Sequence, residues 1–177
     1  MNREELRILV QETWAEMGKT AQGGRIAIGA DHGGYHLKEQ LRRYLEEELH
    51  RNVSDCGTFS TEAVDYPDIA ADVARRVSRG ECARGVVIDG AGNGSSMAAN
   101  KIPGIRAAVC HDDATTISSR EHNDANVLCL GAKVISSGNA RRLVRLWLET
   151  PFAGGRHLGR IEKIARLERS GGGEEER

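Results

Sequence analysis

An excess of charge of either sign, long apolar runs and clustered cysteines are all missing from this chain. With 25 Lys and Arg against 26 Asp and Glu, the formal net charge is −1 and the pI is near 6.6. No global field therefore gathers nucleic acid or an anionic membrane, and any anion binding has to be local. No apolar run approaches the ~18 residues of a membrane span, and no basic-then-apolar secretory segment opens the chain. The expected setting is the cytoplasm, with neither membrane nor nucleic acid as a partner. The four cysteines, Cys56, Cys82, Cys110 and Cys129, lie far apart and form no C-x-x-C or Cys/His cluster. That spacing argues against a zinc site and a disulfide framework, and for reduced thiols.

What is present suffices for one domain with a full core: 177 residues, of which 39% are hydrophobic. Both ends differ from the middle. In residues 1–18, Leu6, Val10, Thr13, Trp14 and Met17 fall on one helical stripe with charged residues largely elsewhere, which reads as a short amphipathic helix. Residues 19–24 read as a linker, 25–169 as the domain, and 170–177 as a Gly and Glu tail unable to bury apolar surface.

Within the domain, five short apolar segments alternate with helical patterns. Strands are expected at 25–30, 52–55, 86–88, 107–110 and 127–130. Helices are expected at about 35–49, from Tyr66 to a stop at Gly80, through Met97–Asn100, and at about 112–120, 139–148 and 158–168. Such alternation implies an α/β fold, a parallel sheet covered by helices on both faces. Ligands on these sheets bind beyond the strands' carboxyl ends. Asp31 and His32 follow the first strand, Asp89 the third, and Lys133 lies just beyond the fifth, so they can share one crevice.

The stretch Val86 to Lys101, VVIDGAGNGSSMAANK, is the centre of this pattern. After the β-branched strand, Asp89 stands before Gly90, Gly92 and Gly94, alternate glycines that let the backbone turn with positive φ and expose its N–H groups. Ser95 or Ser96 is expected to cap the short helix that follows, whose N-terminus adds roughly half a positive charge. The G-x-G-x-G spacing alone also fits an ordinary tight turn. A carboxylate beside a nest of amide donors, however, can take a proton from carbon while the donors hold the resulting oxyanion.

Five segments in order, IGADHGGYHLK, DYPDIA, VVIDGAGNGSSMAANKIPGIRA, SREHNDANVLCLGAKV and FAGGRHLGRIEKI, resemble the ribose-5-phosphate isomerase B / galactose-6-phosphate isomerase family. The resemblance implies a three-layer Rossmann-like sandwich and an aldose–ketose isomerase of a small phosphorylated sugar, most simply ribose 5-phosphate, without metal or organic cofactor. It further implies a homodimer or dimer of dimers with sites at the interface. Asp89 and His122 then become the catalytic pair, His122 assisting ring opening. Asp31, His32, Tyr66, Gly90, Gly92, Asn93, Gly94, Ser95 and Asn123 would contact the sugar. His32, Lys133, Arg156, His157 and Arg160 would hold the phosphate, which Arg grips in a bidentate way. From the sequence alone, Arg156 and Arg160 equally fit a solvated helix face, and Tyr66 a half-buried core residue.

The chain departs from the family where the base should be. Many members carry Cys at the position of Asp89, others Glu at that of Ser95, and the nearby Thr or Ser is here Ala91; Lys133 stands where Arg is common. Asp in that place resembles the A subunit of galactose-6-phosphate isomerase, which works with a different, Cys-bearing subunit. Either Asp89 is the base, which requires burial to raise a pKa of about 3.9, or the chain is a non-catalytic or partner-dependent phosphosugar-binding subunit. Residues 1–18 look like the peptides that direct enzymes into bacterial microcompartments, with a shell protein as partner; a helix packed on the domain or a second copy is the other reading.

Overall fold

The computed structural model describes residues 24–170. The amphipathic stretch 1–18, the linker up to residue 23 and the tail beyond 170 lie outside the described residues. The domain alternates strand and helix: β1 (Ile26–Ala30), α1 (Tyr35–Arg43, ending in a π turn, Tyr44–Glu48), β2 (Val53–Asp55), α2 (Tyr66–Ser78) and β3 (Arg84–Asp89). Next come α3 (Asn93–Ala99), β4 (Ala107–Val109), α4 (Asp113–Glu121), β5 (Val127–Gly131) and α5 (Ser137–Glu149). A 3-10 turn (Gly155–His157) leads into α6 (Leu158–Ser170). All five strands pair in parallel, in the order β2-β1-β3-β5-β4.

The order follows from burial. In β1, β3 and β5 every apolar residue is covered, as expected of strands with helices on both faces. Ile26, Ile28, Val86, Ile88, Leu128 and Leu130 point to one side, where Leu37, Leu41 and Leu45 of α1 and Val144 and Trp147 of α5 meet them. Ala27, Val87, Val127 and Cys129 point to the other, against Val73, Ala74 and Val77 of α2 and Ala99 of α3. Each such Leu, Ile or Val contributes about 1.5–3 kcal/mol when fully buried. On the α2 side the approach is unusually close: a Cβ on Gly29 would lie 2.9 Å from Val73 and 2.7 Å from Ile69.

The outer edge of β4 is closed by a side chain rather than a strand. Asn100 donates to the Ala107 carbonyl at 2.9 Å and accepts from the Ala107 amide at 2.8 Å. It thereby satisfies edge groups that would otherwise invite another chain.

Two expectations about helix starts are corrected. Neither Ser95 nor Ser96 caps α3: the helix begins earlier, at Asn93, and its cap is Gly92 with φ +85°, a conformation that favours glycine. The helix expected from 139 starts at Ser137, because Ser136 accepts from the Asn139 amide.

Candidate active site

Since all strands run the same way, their carboxyl ends share one edge of the sheet. The chain order reverses between β1 and β3, the switch point at which α/β sheets hold ligands. The loops there are stitched together. The Asp31 amide donates to the Ile88 carbonyl at 3.2 Å, Ala132 N–H to the Asp89 carbonyl at 2.8 Å, and Lys133 N–H to the Gly90 carbonyl at 3.0 Å. Asp31 caps its own turn, accepting from Gly34 N–H at 2.8 Å. The Tyr66 ring packs against the glycine loop, so that a Cβ on Gly94 would come within 2.6 Å of it. Tyr66 is 40% exposed. The Lys133 stem crosses Gly90, and His32 Nδ1 sits 3.3 Å from the Val64 carbonyl. Asp31, His32, Tyr66, Asp89, Gly90 to Gly94, Ser95 and Lys133 thus gather at the carboxyl edge of the sheet, around the switch point.

Asp89 is the organising residue of that group. Its side chain is buried, with Oδ1 accepting from Ala91 N–H at 2.7 Å and from Gly92 N–H, and Oδ2 from Ser95 N–H at 2.9 Å. Burial pushes the carboxyl pKa up, but Ser95 and the amides of Gly92 and Ala91 outweigh it, so the net shift is downward. The expectation that burial would raise this pKa is therefore overturned: the glycine loop stabilises the anion it surrounds. Ser95 Oγ is fully buried and has no well-formed hydrogen bond. The neighbouring Cys129 does not supply a thiolate instead, because burial and the Asp89 charge push its pKa up.

The remaining candidates sit elsewhere. Helix α4 leaves the carboxyl end of β4 and returns to the start of β5, so His122 and Asn123 at its end lie at the amino edge. His157 stacks on His122 with ring centroids 4.4 Å apart and an 11° interplanar angle. Arg156 Nε approaches His157 Nε2 at 3.5 Å, and Ala153 N–H donates to the Glu121 carbonyl at 3.0 Å, fixing this turn against α4. Burial, then His122, Arg156 and Arg160, lower the His157 pKa and favour a neutral ring. Within one chain, then, the site residues fall into two groups on opposite edges of the sheet.

His111 is a residue that the sequence reading missed. Its Nε2 lies 3.2 Å from the Ala91 carbonyl of the glycine loop. Its place just past β4, at the same edge as Asp31 and Asp89, is the signal that could have found it. Among the described residues no cluster of His, Cys, Asp and Glu could hold a metal ion, and no helix is long and apolar enough to cross a membrane.

A doubly wound parallel sheet with an anion-stabilising glycine loop at its switch point, flanked by His, Tyr and Lys, defines a Rossmann-like protein that handles a small anionic ligand. The family model described as Ribose/Galactose Isomerase matches residues 26–164, and the chain belongs to that family. Ribose-5-phosphate isomerase B of Escherichia coli is 44% identical over 144 residues, covering 81% of this chain and 96% of that protein. Among solved structures, ribose-5-phosphate isomerase B of Clostridium thermocellum superposes with a TM-score of 0.81 at 49% identity, covering 82% of this chain and 98% of that one. The type B ribose 5-phosphate isomerase of Trypanosoma brucei gives 0.78 at 46%, covering 81% and 97%.

Proposed function

We propose that this chain interconverts an aldose phosphate and its ketose, ribose 5-phosphate and ribulose 5-phosphate first among them, through an enediolate. The observation that supports this most is the ionised Asp89 within the glycine loop. Oδ1 accepts two amide donors and Oδ2 only one, so Oδ2 keeps a lone pair with which to take the C2 proton and return it to C1. Amides of the Gly90–Gly94 loop not engaged by Asp89 stabilise the enediolate oxygen, a contribution of about 10²–10³-fold per donor. Asp89 is a weak base, so the proton-transfer step is slower than with a better-matched group. Asp31, His32, Tyr66 and Asn93 orient the sugar, and Lys133 attracts its phosphate as a point charge.

The site is completed by a second copy. His122, Asn123, Arg156, His157 and Arg160 stand at the edge opposite their own Asp89, so we place them over the crevice of a neighbouring chain. There His122 opens the sugar ring and the arginines grip the phosphate. Purified protein assayed against a panel of pentose and hexose phosphates tests the reading. Turnover of ribose 5-phosphate by this chain alone supports it, and turnover only after addition of a different subunit overturns it in favour of the partner-dependent reading.

We further propose that residues 1–18 act as a targeting peptide for a microcompartment shell, since their amphipathic stripe precedes the family match at residue 26. Fused to a fluorescent reporter and co-expressed with shell proteins, residues 1–24 should co-localise with them. A diffuse reporter, with loss of oligomer stability on deletion, would instead assign the stretch a packing role.

A further inference from the structure

Where α4 ends and β3 begins, at the amino edge of the sheet, three arginines gather near one carboxylate, and two of them hold it. Arg120 Nη1 donates to Asp124 Oδ1 at 2.7 Å and to the Ala125 carbonyl at 2.6 Å. Arg106 Nη2 takes the other carboxylate oxygen at 2.9 Å. Both oxygens of Asp124 are then committed, and Arg84 keeps only a hydrogen bond to the Ala83 carbonyl at 3.1 Å. Among the described residues it has no ion-pair partner within 4 Å.

Arg84 and Arg120 both pack against Trp147. The guanidinium carbons of Arg120 and Arg84 lie 5.6 and 5.9 Å from the centre of the Trp147 ring. Arg120 is 3% exposed and Trp147 0%. Arg120 Nε and Trp147 Nε1 are both fully buried, and neither has a hydrogen-bond acceptor. Both are obligate donors, so no rotation or tautomer lets one serve the other. An orphaned buried N–H costs about 1–3 kcal/mol, more beside an uncompensated charge.

We propose that Arg84, Arg120 and Trp147 form a binding site for a monovalent anion of halide size. Such an ion accepts from the Arg120 and Trp147 N–H groups at once and balances the Arg84 charge. Burial, then Arg120, pushes the Arg84 pKa down to about 10, in keeping with a cluster short of negative charge. A bound water would satisfy the two donors but not the charge.

Trp147 provides the readout. The sequence has two tryptophans, so the full chain carrying Trp14→Phe reports on Trp147 alone. Iodide should quench its emission along a saturating curve, excess chloride should reverse the quenching, and Arg84→Met should weaken it at least tenfold. Acrylamide, a neutral quencher, should give a linear response of equal slope in both proteins. Iodide quenching that is absent, or linear and insensitive to chloride, overturns the proposal. So does equal saturable quenching in a folded Arg84→Met protein. Should Arg84→Met fail to fold, chloride reversal in the Trp14→Phe protein decides.

Discussion

Replacing Asp89 by Asn separates the two tasks assigned to this residue. The substitution keeps the shape, but the side chain now has one acceptor and one NH₂ group. If the oxygen stays on Ala91 and Gly92, the NH₂ faces the Ser95 amide, donor against donor; the reverse placement sets it against the other two. Three charge-assisted bonds become at most two neutral ones, and one buried amide loses its partner. At about 1.5–3 kcal/mol for a bond to a charged group and 1–3 kcal/mol for a buried orphan, a loss of about 3 kcal/mol is expected at pH 7. The sign with pH follows from the lowered carboxyl pKa. The stabilisation is present above the unfolded value of about 3.9 and disappears as pH falls through the folded one. Urea unfolding at pH 7 and at stepwise lower pH should therefore show two curves that converge in acid. In parallel, kcat should fall by about 10²–10⁴ with little change in KM, as for a group used in proton transfer. A variant as stable as the parent at pH 7 would refute the loop-anchor argument. One that is less stable yet fully active would refute the base.

Three further outcomes are open to measurement. Asp89→Asn and His122→Ala proteins, each inactive alone, should regain about a quarter of parental activity when unfolded together and refolded as equal mixtures, because half the dimers are mixed and each restores one of two sites; no recovery would place the whole site within one chain. Arg156→Ala should raise KM for the phosphosugar and weaken competition by inorganic phosphate, while near-normal affinity would exclude Arg156 from the phosphate site. Gly131→Ala would bring a Cβ within 2.8 Å of the Ala91 backbone, so it should lower stability by about 1–3 kcal/mol and reduce activity through the displaced loop; a thermal melt and a kinetic assay would check both, and an unchanged protein would show the contact to be slack.

Much of the fold was legible because strands buried on both faces leave uninterrupted apolar runs such as Val86 to Ile88, and because Pro67 and Gly80 bracket α2. The early start of α3 was harder to place, whereas the short β4, expected at 107–110, runs Ala107–Val109. Gly92 does what a serine was expected to do, and a backbone conformation leaves no polar letter in the sequence. The grouping at the carboxyl edge was readable from the position of each polar residue after its strand. The direction of the Asp89 shift was not, since it depends on whether amides converge on the carboxylate, and spacing alone does not report that. The separation of His122 from Asp89 was legible only through the family resemblance, which implies sites at an interface; within one chain it is strand direction that shows it. Arg84, Arg106 and Arg120 are scattered over 37 positions and are brought together by topology alone.

Because the glycine loop closes around a carboxylate belonging to its own chain, its ordering is settled when the protein folds. A ligand arriving at the crevice meets amides already fixed in direction and does not have to supply the entropy of arranging them. The signature is kinetic protection without ligand: the amide hydrogens of Ala91, Gly92 and Ser95, in the glycine loop and the first turn of α3, should exchange with solvent as slowly as those of the central strands.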